Sequence, residues 1–121
     1  MKELLLKDLC ARLPYGVVCQ VDDGAAGLND GKLVEIDISK ELVRFDADYY
    51  WDAYIDDIKP YLFPMSNMTE EQFKEYWELE HSGDMEHLSI PALDWLNKNH
   101  FDYRGLIPMG LAKDATGLNI Y

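Results

Sequence analysis

The chain has 121 residues, 48% of them apolar and 12% aromatic, enough to build one packed core and to read as one α+β domain. Eleven lysines and arginines stand against 23 acids, a net charge of −12, which excludes a basic phosphate-binding surface as the default and argues against direct nucleic-acid binding. The excess is local, because residues 41–86 carry thirteen acids and three bases whereas residues 87–121 carry three of each.

The opening residues Met1 to Leu9 contain acids and no long apolar run, so they read as neither a secretory signal nor a membrane span. A cytoplasmic protein with Cys10 and Cys19 reduced is the expectation, and their spacing without a second pair does not suit a structural zinc site. From Lys2 to Leu13 the chain reads as a helix, with Leu5, Leu6, Leu9 and Leu13 on one side and Glu3, Lys7, Asp8 and Arg12 elsewhere. Its mixed charges favour docking on the domain's own core over a membrane surface. Pro14, Tyr15 and Gly16 end it.

At Val17 the period changes to two, and residues 17–21 read as a strand with Val17, Cys19 and Val21 inward. Three glycines with Asp and Asn make 23–31 a hairpin loop. A second strand over Lys32–Ile38 points Val34, Ile36 and Ile38 to one face, and Leu42–Asp46 supplies a third. The run from Tyr49 to Asp56 alternates again, with Tyr50, Asp52, Tyr54 and Asp56 outward. Four strands with short connections predict an antiparallel meander, curling toward a small barrel.

Residues 58–64 hold Pro60 and Pro64 and read as an extended linker, since each proline removes a ladder donor. Thr69-Glu70-Glu71-Gln72 is a capping box, with Met68 placed to staple on Phe73, and it starts a helix from Glu70 to about Leu79. Phe73, Tyr76 and Trp77 form its apolar stripe, while Glu71, Glu75 and Glu78 gather opposite. Ser89 is placed to cap another helix from Ile90 or Pro91 to Lys98, and Phe101–Leu111 reads as ordered but irregular. Ala112–Tyr121 reads as a loosely held tail. The expected core is Leu5, Leu9, Val17, Cys19, Val34, Ile36, Phe45, Trp51, Phe73, Trp77, Leu93 and Leu96.

Three phrases carry a resemblance: the opening KELLLKDLCARLPYGV of residues 2–17, DIKPYLFPMSNMTEE of residues 57–71, and DWLNKNHFDYRGLI of residues 94–107. Together they resemble a set of small uncharacterised proteins encoded by gut bacteria and their phages or prophages. The resemblance implies a cytoplasmic protein, supports a phage-linked origin, and assigns no activity, cofactor or site.

No Walker loop, dinucleotide fingerprint or nucleophile elbow appears, and an enzyme is not expected. His81, His87 and His100 lack metal-ligand spacing and read as structural or solvated, so no metal or other cofactor is assigned. Cys19 in a strand interior reads as an inert buried thiol. Arg104, beside Asp102, reads as an ion-pairing residue that ties the C-terminal segment down.

Two surfaces remain. Glu71, Glu75 and Glu78 of the second helix, joined by Asp52 and Asp56 of the fourth strand, form a candidate surface for a basic partner protein. Tyr50, Asp52 and Tyr54 form a candidate small-molecule or glycan patch, since stacking rings beside carboxylates suit a sugar. The sequence favours an interaction or accessory protein over a ligand-binding module.

Overall fold

Eleven residues from Lys2 to Arg12 form α1, followed by a short 3-10 turn through Pro14 that ends on Gly16 in the left-handed region, φ 69°. The computed structural model describes residues 2–22, 24, 27–46, 51–81 and 90–121, with only the backbone at Trp51. Leu5 and Leu9 bury themselves against the sheet, as their spacing predicts. Asp8 and Arg12 are also fully buried, contrary to a polar outward face; they pair with each other across one helical turn, and Arg12 Nη1 is left without a hydrogen-bond partner among the described residues.

Strands β1 (Val18–Asp22), β2 (Leu28–Asp37), β3 (Leu42–Asp46) and β4 (Trp51–Tyr54) make the expected antiparallel meander. The sheet does not end there. β5 (Ile58–Pro64) pairs antiparallel with β1, and β6 (Phe101–Asp102) and β7 (Lys113–Asp114) add to β5 in parallel. Among the described residues the mixed sheet therefore has seven strands in the order β4-β3-β2-β1-β5-β6, with β7 also on β5. Its outer strands β4 and β6 do not pair, so it is open and not a barrel.

The stretch expected to be a linker is thus an interior strand. Both prolines sit where a ladder ends: Pro60 is the last partner of β1, opposite Cys19, and Pro64 is the last partner of β6, opposite Asp102. A missing donor is tolerated at such positions. The expected loose tail is also fixed, since β7 pairs with Tyr61 and Leu62, and the Ala115 N–H donates to the Leu62 carbonyl at 2.8 Å.

Strand β2 begins four residues earlier than the spacing suggests and carries a bulge that changes its inward set. Leu33 pairs with Phe45 and Ile36 with Val43, so Val34 is the extra residue between them. Leu33 is therefore fully buried, Val34 and Ile36 are half-buried, and Ile38 lies outside the strand and exposed.

Helices α2 (Glu70–Glu80) and α3 (Ile90–Lys98) follow the sheet's first five strands. The capping box is complete: the Gln72 N–H donates to the Thr69 hydroxyl at 3.1 Å, and the Gln72 side-chain oxygen accepts from the Thr69 N–H at 3.0 Å. The proposed cap Ser89 lies outside the described residues. The core has two parts, one between α1 and the sheet and a second built on Trp95, Leu96 and Phe101, against which Tyr76 and Leu79 of α2 pack. Phe73 and Trp77 are not in either part, and Leu93 is half-buried.

Candidate functional site: an exposed helix and two acid-free clefts

The α2 helix is held by one side only. Tyr76 lies 6.0 Å from Trp95, ring to ring, and Leu79 packs on the same cluster. No residue of α2 is buried. Phe73 is 56% exposed and Trp77 49% exposed, whereas the stripe they belong to was expected to be core. The reason is rotational: α3 meets the Tyr76 and Leu79 side, and at 100° per residue Phe73 and Trp77 fall on the flank of that contact. Trp77 covers part of its surface with His81, whose ring stacks on it at 4.1 Å and bonds through Nδ1 to the Trp77 carbonyl at 2.8 Å. Below Phe73, Met65, Met68 and Thr69 line a shallow apolar cleft of about 430 Å³.

Glu71, Glu75 and Glu78 share the remaining side of α2, all exposed, with no ion pair to them among the described residues. The strand carboxylates lie elsewhere. Asp52 and Asp56 belong to the β4 edge, while α2 sits on α3 beside β6 at the other end of the strand order, and the two sets are not brought together. Asp52 also accepts from Arg44 Nε at 3.1 Å, and Arg44 reaches Glu35 at 3.0 Å. Asp56 pairs with Lys2 at 3.2 Å, and Lys2 pairs with Glu41 at 2.9 Å. In the aromatic patch, Tyr54 is 62% exposed, Asp52 is engaged with Arg44, and Tyr50 lies outside the described residues.

A buried polar cluster ties α1 to the C-terminal segment. Asp8 holds Arg12 at 2.8 Å and Arg104 at 3.0 Å, so Arg104 has the tying role expected of it through Asp8 and not through its neighbour Asp102. Asp102 instead accepts from the backbone N–H groups of Leu106 and Ile107 at 2.8 and 2.9 Å. Arg12 Nη2 donates to the Phe101 carbonyl at 2.7 Å, and both guanidinium groups lie over the Tyr103 ring.

Next to this cluster stands His100, just past the end of α3 with φ 63°, a position glycine fills without strain. Its ring is buried and stacks on Tyr121 at 3.6 Å, nearly parallel. Burial, and secondarily the Arg12 charge, hold its pKa down at about 4, so the ring is neutral at pH 7. The Tyr121 hydroxyl accepts from the Val18 N–H at 2.9 Å and donates to the Tyr61 carbonyl at 2.8 Å, bridging β1 and β5.

Two open clefts border this region and share Lys98. The one containing His100 has a volume of about 460 Å³ and the other, bounded by Tyr15 and Lys32, about 570 Å³. Neither was foreseen from the sequence. The signal that marks them is the acid-free phrase WLNKNHF of residues 95–101, which ends a helix without a glycine.

Among the described residues no group of three or more His, Cys, Asp or Glu is placed to hold a metal ion; His87 lies outside them. Cys19 is fully buried, and burial, with a smaller contribution from Asp8, pushes its thiol pKa well up, so it is protonated and inert. No helix among the described residues is long and apolar enough to cross a membrane. Comparison of the chain with protein families, curated proteins and solved structures finds no match.

Proposed function

We propose that this chain is a small, non-enzymatic accessory protein of the bacterial cytoplasm, of phage or prophage origin, that docks a basic protein partner on α2. One observation carries the reading: a helix anchored by Tyr76 and Leu79 leaves Phe73 and Trp77 to solvent on one flank and, on another side, Glu71, Glu75 and Glu78 without an ion pair among the described residues. Large aromatic side chains are the residues whose burial contributes most to an interface. Glu71, Glu75 and Glu78 then supply the charge that selects a lysine- or arginine-rich partner and speeds its encounter.

The Asp52 and Asp56 half of the acidic surface is left out of this docking face, since Asp52 already pairs with Arg44 of β3 and Asp56 with Lys2 of α1. The same engagement of Asp52 weakens the alternative of a small-molecule or glycan module on β4, where, of the two described residues of the patch, Tyr54 is the one without an ion pair.

The reading is tested by affinity capture from the native host at low and at moderate salt, with three baits: the unaltered chain, Glu71→Lys with Glu75→Lys, and Phe73→Ala with Trp77→Ala. A basic protein retained by the first bait, released as salt screens the charge, and lost from both variants supports it. Equal capture by all three baits contradicts it.

A further inference from the structure

Acids outnumber bases by 23 to 11 in this chain, yet the two clefts that share Lys98 have no carboxylate side chain among the described residues that line them. Lys98 and Lys32 contribute the only charged side chains of the lining, and among the described residues neither has an ion pair. Lys2, Arg12, Arg44 and Arg104 are held by acids, while Lys7, Lys40, Lys59, Lys74 and Lys113, like Lys32 and Lys98, have no ion pair among the described residues. What sets Lys32 and Lys98 apart from the other lysines is that both line clefts with no carboxylate side chain among the described lining residues.

The hydrogen-bonding groups left over in the His100 cleft point the same way. Gln72 uses its side-chain oxygen to cap α2, which leaves its N–H groups to act as donors toward the cleft. Lys98 has three donors and no acceptor. His100 is only 8% exposed and its Nδ1 has no partner, which is costly for a buried polar atom, and it holds a left-handed backbone where glycine would be unstrained. Stacking on Tyr121 accounts for the ring's place, and Nδ1 is itself buried and not presented to the cleft. Phe63 and Tyr121 line the cleft with two rings whose centroids are 6.0 Å apart and whose planes are tilted by 55°.

We propose that the clefts on either side of Lys98 bind a small organic anion, its phosphate or carboxylate at Lys98, with Lys32 lining the neighbouring cleft, and its apolar body against Phe63 and Tyr121. This site is separate from the docking face of α2 and stands or falls without it.

The probes are phenyl phosphate, benzoate, inorganic phosphate and neutral benzyl alcohol, each titrated into the ¹⁵N-labelled protein and followed by amide chemical shifts. Saturable shifts at Gln72, Lys98, Asn99 and His100 with phenyl phosphate or benzoate are expected, and which of the two binds tighter identifies the head group. Inorganic phosphate should bind more weakly, and benzyl alcohol should not saturate. Lys98→Glu, an exposed change that leaves the core untouched, should weaken the organic anion by about tenfold or more, as loss of a charge-assisted bond implies. Lys59→Glu makes the same change in net charge on exposed β5 surface and should leave binding unchanged. Failure of both organic anions to saturate, an equal response to benzyl alcohol, or equal loss in the two lysine variants would overturn the proposal.

Discussion

Asp8 and Arg12 form an ion pair at 2.8 Å across one turn of α1, with neither side chain exposed to solvent. The same carboxylate reaches Arg104, ninety-six residues further on, so a single acid fastens the first helix to the C-terminal segment. Asp8→Ala leaves Arg12 buried and uncompensated. It should reduce stability by roughly 3–5 kcal/mol in urea unfolding, whereas Arg44→Ala, which breaks exposed pairs, should change it by no more than about 1 kcal/mol.

Trp77→Ala should cost less than about 1 kcal/mol, because Trp77 is half exposed and outside both parts of the core. Trp95→Ala, eighteen residues on, should cost about 3–5 kcal/mol, since that ring is 8% exposed and stacked on Phe101 at 5.6 Å. Thermal or urea unfolding of the two variants side by side checks the contrast, and a Trp77 loss equal to that of Trp95 would place Trp77 in the core.

Removing one oxygen at the far end of the chain should be felt in the centre of the sheet. Tyr121→Phe keeps the stacking on His100 but leaves the Val18 N–H and the Tyr61 carbonyl without their bridge, at a cost of about 1–3 kcal/mol. Hydrogen exchange should then quicken at the Val18 amide before it does so at Leu33.

His100 predicts a pH dependence with a definite sign. Its folded pKa of about 4 lies below the ordinary 6.5, so between those values the unfolded chain binds the proton and the folded one does not. Above pH 6.5 both forms are neutral and the residue contributes nothing to the slope; as pH falls toward 4, stability is lost, by about 2 kcal/mol at pH 5. His100→Gly should flatten the profile between pH 7 and pH 5 and also relieve the left-handed backbone, so it should be about 1 kcal/mol more stable than His100→Ala at pH 7.

Much of this fold is legible where local chemistry decides it. Thr69 and Gln72 specify the start of α2 through a motif that needs no distant partner, and alternation alone places Cys19, Val43, Phe45 and Ile55 inward. The sequence misleads where a distant segment decides. Pro60 and Pro64 look like strand breakers until the ends of the β1 and β6 ladders are known, and the bulge at Val34 exists only because β3 pairs with β2 in a shifted register. Likewise Asp8 and Arg12 match any surface i, i+4 pair, and burial comes from the C-terminal segment laid over them. At the docking face, Glu71, Glu75 and Glu78 are readable from helical spacing, but the exposure of Phe73 and Trp77 depends on which side of α2 meets α3. Nothing in the spacing links Lys32 to Lys98, sixty-six residues apart.

The docking face on α2 is tested most directly by the footprint of a captured basic partner in hydrogen–deuterium exchange. The account predicts protection concentrated over residues 70–80, weakened by Glu71→Lys with Glu75→Lys and by Trp77→Ala. Protection confined to the β4 edge around Asp52 and Tyr54, with residues 70–80 exchanging as in the free protein, would contradict it.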